Sequence, residues 1–202
     1  MSKITGPNMI TLNVQRPIWN KLYTVSPLVV IGTKQHDGYD LAPKHMAMPI
    51  GWQNYFGFVC TPKHSTYHNA KHYGAFTVSF PKPDQVVEAG LTASPRCDTP
   101  GLKPILSSIE TSKAEIIDGV FMKGAYLTLE CNVDRIIDGF GENSLIVGEI
   151  VAAKVSHTSM RTMEEQDPEL IERAPLLAYL SPNRYAVISS SEEFPFPDGF
   201  QK

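Results

Sequence analysis

The chain has 202 residues, 42% of them hydrophobic and 19% charged, which suits one globular domain with a sizeable core. A net charge of −3 without any basic block argues against a nucleic-acid partner, and no apolar run reaches the roughly 18 residues of a membrane helix. Three widely spaced cysteines, Cys60, Cys97 and Cys131, form no CxxC pair, and residues 1–11 are too polar for a signal peptide. Free thiols in a reducing cytoplasm are therefore expected.

Residues 1–27 read as a lead-in whose Trp19 and Tyr23 pack either on the core or on a neighbouring subunit. Leu28 to Thr33 is a compact β-rich run, followed by a turn at Gln35-His36-Asp37-Gly38. Tyr39 to Met48 carries Asp40-Leu41-Ala42-Pro43-Lys44-His45. Pro43 removes a donor and disfavours a helical Ala42, so the segment reads as a strand-edge loop. Small Ala42 beside it would let a flat ligand approach the main chain. Gln53 to Thr61 is a buried aromatic strand, in which Gly57 marks a bulge or a close approach.

The stretch Cys60 to Phe80 carries the chemistry. It reads as a strand end, a basic and hydroxyl-rich turn, a short helix and a strand over Ala75 to Phe80. Ser65 or Thr66 suits the helix N-cap, and Gly74 suits a left-handed C-terminus. Helix amides, two hydroxyls, Lys63 and His64 would then converge where a phosphate is favoured. The plainer alternative is a capped surface helix with a lysine before it.

Asp84 to Leu91 reads as a helix, and residues 92–113, rich in proline and glycine, as a long loop serving as lid or subunit contact. Gly124 to Ile137 alternates with period two, placing Leu127, Leu129, Cys131 and Val133 on one side and Thr128, Glu130 and Asn132 on the other. With Ser144 to Ser156 it makes a long antiparallel hairpin around Gly139-Phe140-Gly141. Asp167 to Leu177 reads as a helix opened by Asp167 and Pro168, Arg184 to Ser189 as a last strand, and Phe194 to Phe200 as an irregular docking tail. The sum is mainly β, antiparallel, with a few short helices. Sheet closure removes edges, so a small barrel is expected.

The order of four segments resembles the flavin reductase-like family. They are Pro27-Leu28-Val29-Val30-Ile31-Gly32-Thr33, Asp40-Leu41-Ala42-Pro43-Lys44-His45, Thr66-x-x-Asn69 with Gly74-x-Phe76-x-Val78, and Leu129-Glu130-Cys131-x-Val133 with Val147-Gly148-Glu149-Ile150. The resemblance implies an FMN-binding split β-barrel with Greek-key connections, its core at about 25–155 and a helix and tail over 156–202. It implies FMN phosphate at Lys63, His64, Ser65 and Thr66, with Asn69 supporting that site or the ribityl chain. Leu41, Ala42 and Pro43 would line the isoalloxazine through their backbone, near Lys44 and His45, with Cys60 and Thr61 flanking. Asp40 and His45 stand where the family usually has Asn and Ser, which points to a subgroup.

Three functions follow from the resemblance. One is a flavin-dependent oxidoreductase taking electrons from NAD(P)H and passing them to free flavin, a metal ion or a redox partner. The second is a flavoredoxin-like carrier, and the third a non-redox binding module on the same barrel. A homodimer with FMN near the interface is also implied. The flavin would carry the chemistry, so no side chain is assigned a catalytic role.

His64, His68 and His72 share a helix face, but no further ligands at matching spacing support a metal site. Cys60 and Cys131 read as buried inert thiols and Cys97, in a loop, as the better candidate for reactivity. His157 reads as a surface histidine or a nicotinamide contact.

Overall fold

A computed structural model describes residues 9–97, 103–162, 167–197 and Gly199. Parts of the expected lead-in, the 92–113 loop and the docking tail lie outside these residues. Twelve strands are seen: β1 (Thr24–Pro27), β2 (Val29–Gln35), β3 (Gly38–Lys44), β4 (Ala47–Pro49), β5 (Tyr55–Cys60), β6 (Ala75–Phe80), β7 (Thr111–Lys113), β8 (Val120–Met122), β9 (Leu127–Phe140), β10 (Asn143–Val155), β11 (Leu176–Ser181) and β12 (Arg184–Ile188). Three α-helices join them: α1 (Ser65–Tyr73), α2 (Val86–Leu91) and α3 (Asp167–Arg173).

Seven strands form one antiparallel sheet in the order β3-β2-β6-β9-β10-β5-β4. Its two edge strands, β3 and β4, are neighbours in sequence, separated only by His45 and Met46. So short a link forces the sheet to curl until its edges meet, which gives the barrel. Pro43 sits in β3, an edge strand, where a missing donor is tolerated.

The continuous apolar run of β2 has a cause. Val29 and Ile31 face a core with Phe56, Phe58, Phe76, Val78, Leu129 and Ile146, while Val30 faces a second core with Leu41, Ala89, Ile109, Val120 and Leu177. A strand covered on both sides needs no polar alternation. Gly57 is a close approach: a Cβ there would lie 2.9 Å from Ile50 Cδ1, and the β5–β10 register runs through it unbroken.

Glu130 departs from the expected pattern. Period two placed it on the polar side of a half-buried strand, yet it is buried. The 114–119 turn covers it, and its carboxylate accepts the amides of Glu115, Ile116 and Ile117 at 2.9, 2.7 and 2.9 Å. Burial pushes this carboxyl up, but the three amides and Lys154 outweigh it and hold it below its ordinary 4.5.

The expected helix over Asp167 to Leu177 ends at Arg173. Pro175 disfavours a helical Ala174, and Leu176 onward extends as β11. β11 lies between β1 and β12 in a three-stranded antiparallel sheet, so the C-terminal part holds two strands besides its helix and tail. The expected helix at Asp84 begins as a 3-10 turn over Pro83–Gln85 and becomes α2 at Val86. Trp19 and Tyr23 are exposed, so this chain's core does not take them. Among the described residues no helix is long and apolar enough to cross a membrane.

Candidate functional site

Strand β5 ends at Cys60, and the chain turns through 61–64 before α1. The His64 amide donates to the Thr61 carbonyl at 3.0 Å, and the Lys63 amide reaches Thr61 Oγ1 at 3.4 Å. The N-cap is His64, one residue before the expected position. It has extended dihedrals (φ −94°, ψ 144°) and makes no side-chain cap. Ser65 and Thr66 therefore sit inside the first turn, which has no acidic side chain. The Tyr67 amide returns to His64 O at 3.1 Å, which leaves the amides of Ser65 and Thr66 and the positive end of the helix dipole for an anion. Gly74 ends α1 at φ 69°, and its amide bonds Ala70 O, as expected for a glycine there.

α1 is held from both sides. Tyr67 Oη donates to Asp138 at 3.1 Å, and Ser144 Oγ donates to the same carboxylate at 2.6 Å. Asn69 Nδ2 donates to the buried Thr33 Oγ1 of β2 at 3.1 Å. Lys63 is exposed and pairs with Glu142 at 3.1 Å. His64, His68 and His72 are all exposed, and among the described residues no three metal-ligating groups cluster.

The end of β3 supplies the other wall. Asp40 is buried, and its two oxygens meet Lys103 Nζ at 2.9 Å and Arg96 Nη2 at 2.5 Å. Lys103 Nζ also donates to the carbonyls of Leu41 and Thr92, both at 2.8 Å. Burial lowers the Lys103 ammonium, and the Asp40 carboxylate pulls it partly back. Next along, Ala42 is buried and Pro43 half-buried.

Lys44 links the two walls electrostatically. Burial pushes the Cys60 thiol up, and the Lys44 ammonium bonded to it works the other way. Although exposed, His64 is held below 6.5 by partial loss of its hydration and then by Lys44 and Lys103. Among the described residues no carboxylate forms an ion pair with Lys44. Lys103 and Arg96 meet the Asp40 carboxylate, and Lys44 and Lys103 both act on His64, so positive charge gathers beside the start of α1. His45 stacks on Tyr179 of β11, with centroids 4.3 Å apart, and burial and then Lys44 lower its imidazole.

Of the expected site residues, Asp40, Lys44, Cys60 and His64 bear on one another across this cluster, while Lys63 points to Glu142. Sequence reading missed the roles of Lys103, Arg96, Thr33 and Tyr179. One signal was present: a buried aspartate needs cations, and the expected lid carries Arg96 and Lys103. A separate cavity of about 950 Å³ opens between α3 and residues 191–196, and none of the expected site residues lines it.

Solved structures resemble this chain throughout. A flavoredoxin from Methanosarcina acetivorans matches at 19% identity and a TM-score of 0.74, over 96% of this chain and 98% of its own. An FMN-binding protein from Thermus thermophilus, with bound 1-cyclohex-2-enone, matches at 18% and 0.76, over 93% and 100%. A protein with a split barrel domain from Shewanella frigidimarina matches at 16% and 0.74, over 86% and 87%. At such identities the likeness speaks for the fold, a split β-barrel. No curated protein sequence gives a significant match. The flavin reductase like domain profile covers residues 22–180, which is most of the chain. This protein therefore belongs to the flavin reductase-like family.

Proposed function

We propose that this protein binds FMN and acts as a flavin-dependent oxidoreductase. The observation that carries this reading is Lys44, a cation that no carboxylate among the described residues pairs, beside the start of α1. Such a cation and the amides of Ser65 and Thr66 suit a phosphate monoester, which carries about −1.5 to −2 charges near pH 7. Lys44, His64, Ser65 and Thr66 would hold the phosphate, with Lys63 at the rim. Asn69, tied to Thr33, would support the ribityl side. The main chain of Leu41, Ala42 and Pro43 would line the ring, with Asp40 and His45 beside it and Cys60 and Thr61 flanking.

Bound FMN would supply the electron transfer, accepting electrons from NADH or NADPH and passing them to free flavin, a metal ion or a redox partner. The chain's own residues bind, orient and shield. Burial keeps the Cys60 thiol above its ordinary value and therefore protonated near neutral pH, so it is a poor nucleophile there. His64 and His45, both lowered, stay neutral at pH 7 and add no charge to that of Lys44.

The experiment is a visible spectrum and an FMN titration of the purified chain, followed by anaerobic NADH or NADPH. Saturable FMN binding with bleaching by a nicotinamide supports the reductase. No bound flavin and no response to added FMN would sink the reading. Similarity to a flavoredoxin over nearly both full lengths favours a second reading, an electron carrier. Bleaching by a reduced protein partner but not by nicotinamide would select it. A homodimer with flavin near the interface fits the exposed Met46, Met48 and Trp52 around β4, and sedimentation would test it.

A further inference from the structure

Asp40, Lys103 and Arg96 join three parts of the chain. Asp40 belongs to β3, Thr92 caps the end of α2, and Arg96 and Lys103 belong to the segment after it. Thr92 is fully buried and donates to Ala89 O at 2.6 Å, so the α2 end is itself fixed in the second core. Lys103 Nζ donates to Leu41 O and Thr92 O and lies 2.9 Å from Asp40 Oδ1 in an ion pair. The Thr92 carbonyl lies at the negative end of the α2 dipole, where a cation is favoured. An ammonium so held is turned toward the protein, and it acts on a ligand through where it holds the chain and through its field.

Stability gives no reason for such a group. A buried ion pair is commonly matched or bettered by well-packed apolar side chains, because desolvation offsets the attraction. This one sits directly before Leu41-Ala42-Pro43 and its charge reaches His64. We propose that Lys103, Arg96 and Asp40 form a positioning latch that seats the segment after α2 on the end of β3 and thereby shapes the ligand site. Its functional meaning rests on the flavin reading above. Lys103 and Arg96 are positioning residues, and Lys44 is the cation that touches the ligand.

Charge and position can be separated. Asp40→Asn raises the local charge by one, Lys103→Met lowers it by one, and the double variant leaves it unchanged while removing the latch. If charge alone mattered, FMN would bind Asp40→Asn more tightly, the double variant like wild type and Lys103→Met more weakly. The latch predicts weaker binding in all three, about tenfold in the double variant and less than the product of the single losses. FMN affinity is read by fluorescence titration. Two further readouts are the absorbance band of bound FMN, expected to shift, and amide exchange at 92–97, expected to accelerate while the β9–β10 ladder stays protected. Wild-type affinity with unchanged exchange in the double variant would overturn the latch. Should that variant fail to fold, Arg96→Gln should bind FMN about threefold more weakly and exchange faster at 92–97, and no change in either would also overturn it. If the wild-type protein binds no FMN, the flavin reading fails, while the exchange measurement still decides the latch.

Discussion

Two buried carboxylates on the same curled sheet are satisfied in opposite ways. Glu130 in β9 is met by three consecutive backbone amides of one turn. Asp40 in β3 is met by two cationic side chains from the segment after α2. The first arrangement disperses one charge over neutral donors and leaves nothing over. The second uses charged partners, and Lys44, which no carboxylate among the described residues pairs, lies near it. Both fasten a loop to a strand, but only the Asp40 cluster adjoins a cation that a ligand can neutralise. Local charge balance thus separates a clamp that serves the fold from one that serves a site.

That contrast breaks if flavin binding and stability respond together. Glu130→Ala should cost about 3 kcal/mol in denaturant unfolding, since three amides lose their acceptor, and leave FMN affinity unchanged. Lys44→Met should do the reverse, weakening FMN by about 2 kcal/mol, roughly thirtyfold, with the unfolding midpoint unmoved. Titration and unfolding on the same samples check both.

Acid sharpens the contrast further. Glu130 titrates below 4.5 in the folded chain, so its stabilisation is complete above that value and fades as pH falls through the folded value. Between about pH 5 and 3, Glu130→Gln should therefore lose less stability than wild type in parallel unfolding curves. A steeper loss in the variant would mean that the amides are not its partners. The smallest effect belongs to Lys63→Ala. An exposed ion pair is worth about 0–1 kcal/mol, so FMN affinity should change by less than about fivefold. A larger loss would move the phosphate contact from Lys44 to Lys63.

Much of the frame was readable before any coordinates. Ala75–Phe80 is β6 to the residue, and the β9–β10 hairpin declared itself through alternation and its glycine turn. Gly74 announced the end of α1 because few other residues accept a left-handed C-terminus. Three readings went astray where contacts distant in sequence decided. Glu130 looked solvent-facing because the turn that covers it is a separate segment. Leu176 and Leu177 looked helical because the strand they open is fixed by pairing with β1 and β12, outside the local window. Ser65 and Thr66 looked like caps because the 61–64 turn, which sets the helix start, is fixed by its own hydrogen bonds.

Local sequence by itself determined β2, β5, β6 and the β9–β10 hairpin, where α1 stops, and that hydroxyls and basic residues gather at its start. These follow from side-chain period, backbone restriction and capping, all of which act within a few residues. Tertiary structure alone decided which charges meet. Nothing near Asp40 in the chain announces Lys103 or Arg96, and nothing near Lys44 announces that no carboxylate among the described residues pairs with it. Electrostatic balance is a sum over neighbours in space, so it exists only once the sheet has curled and brought the end of β3, the start of α1 and the segment after α2 together.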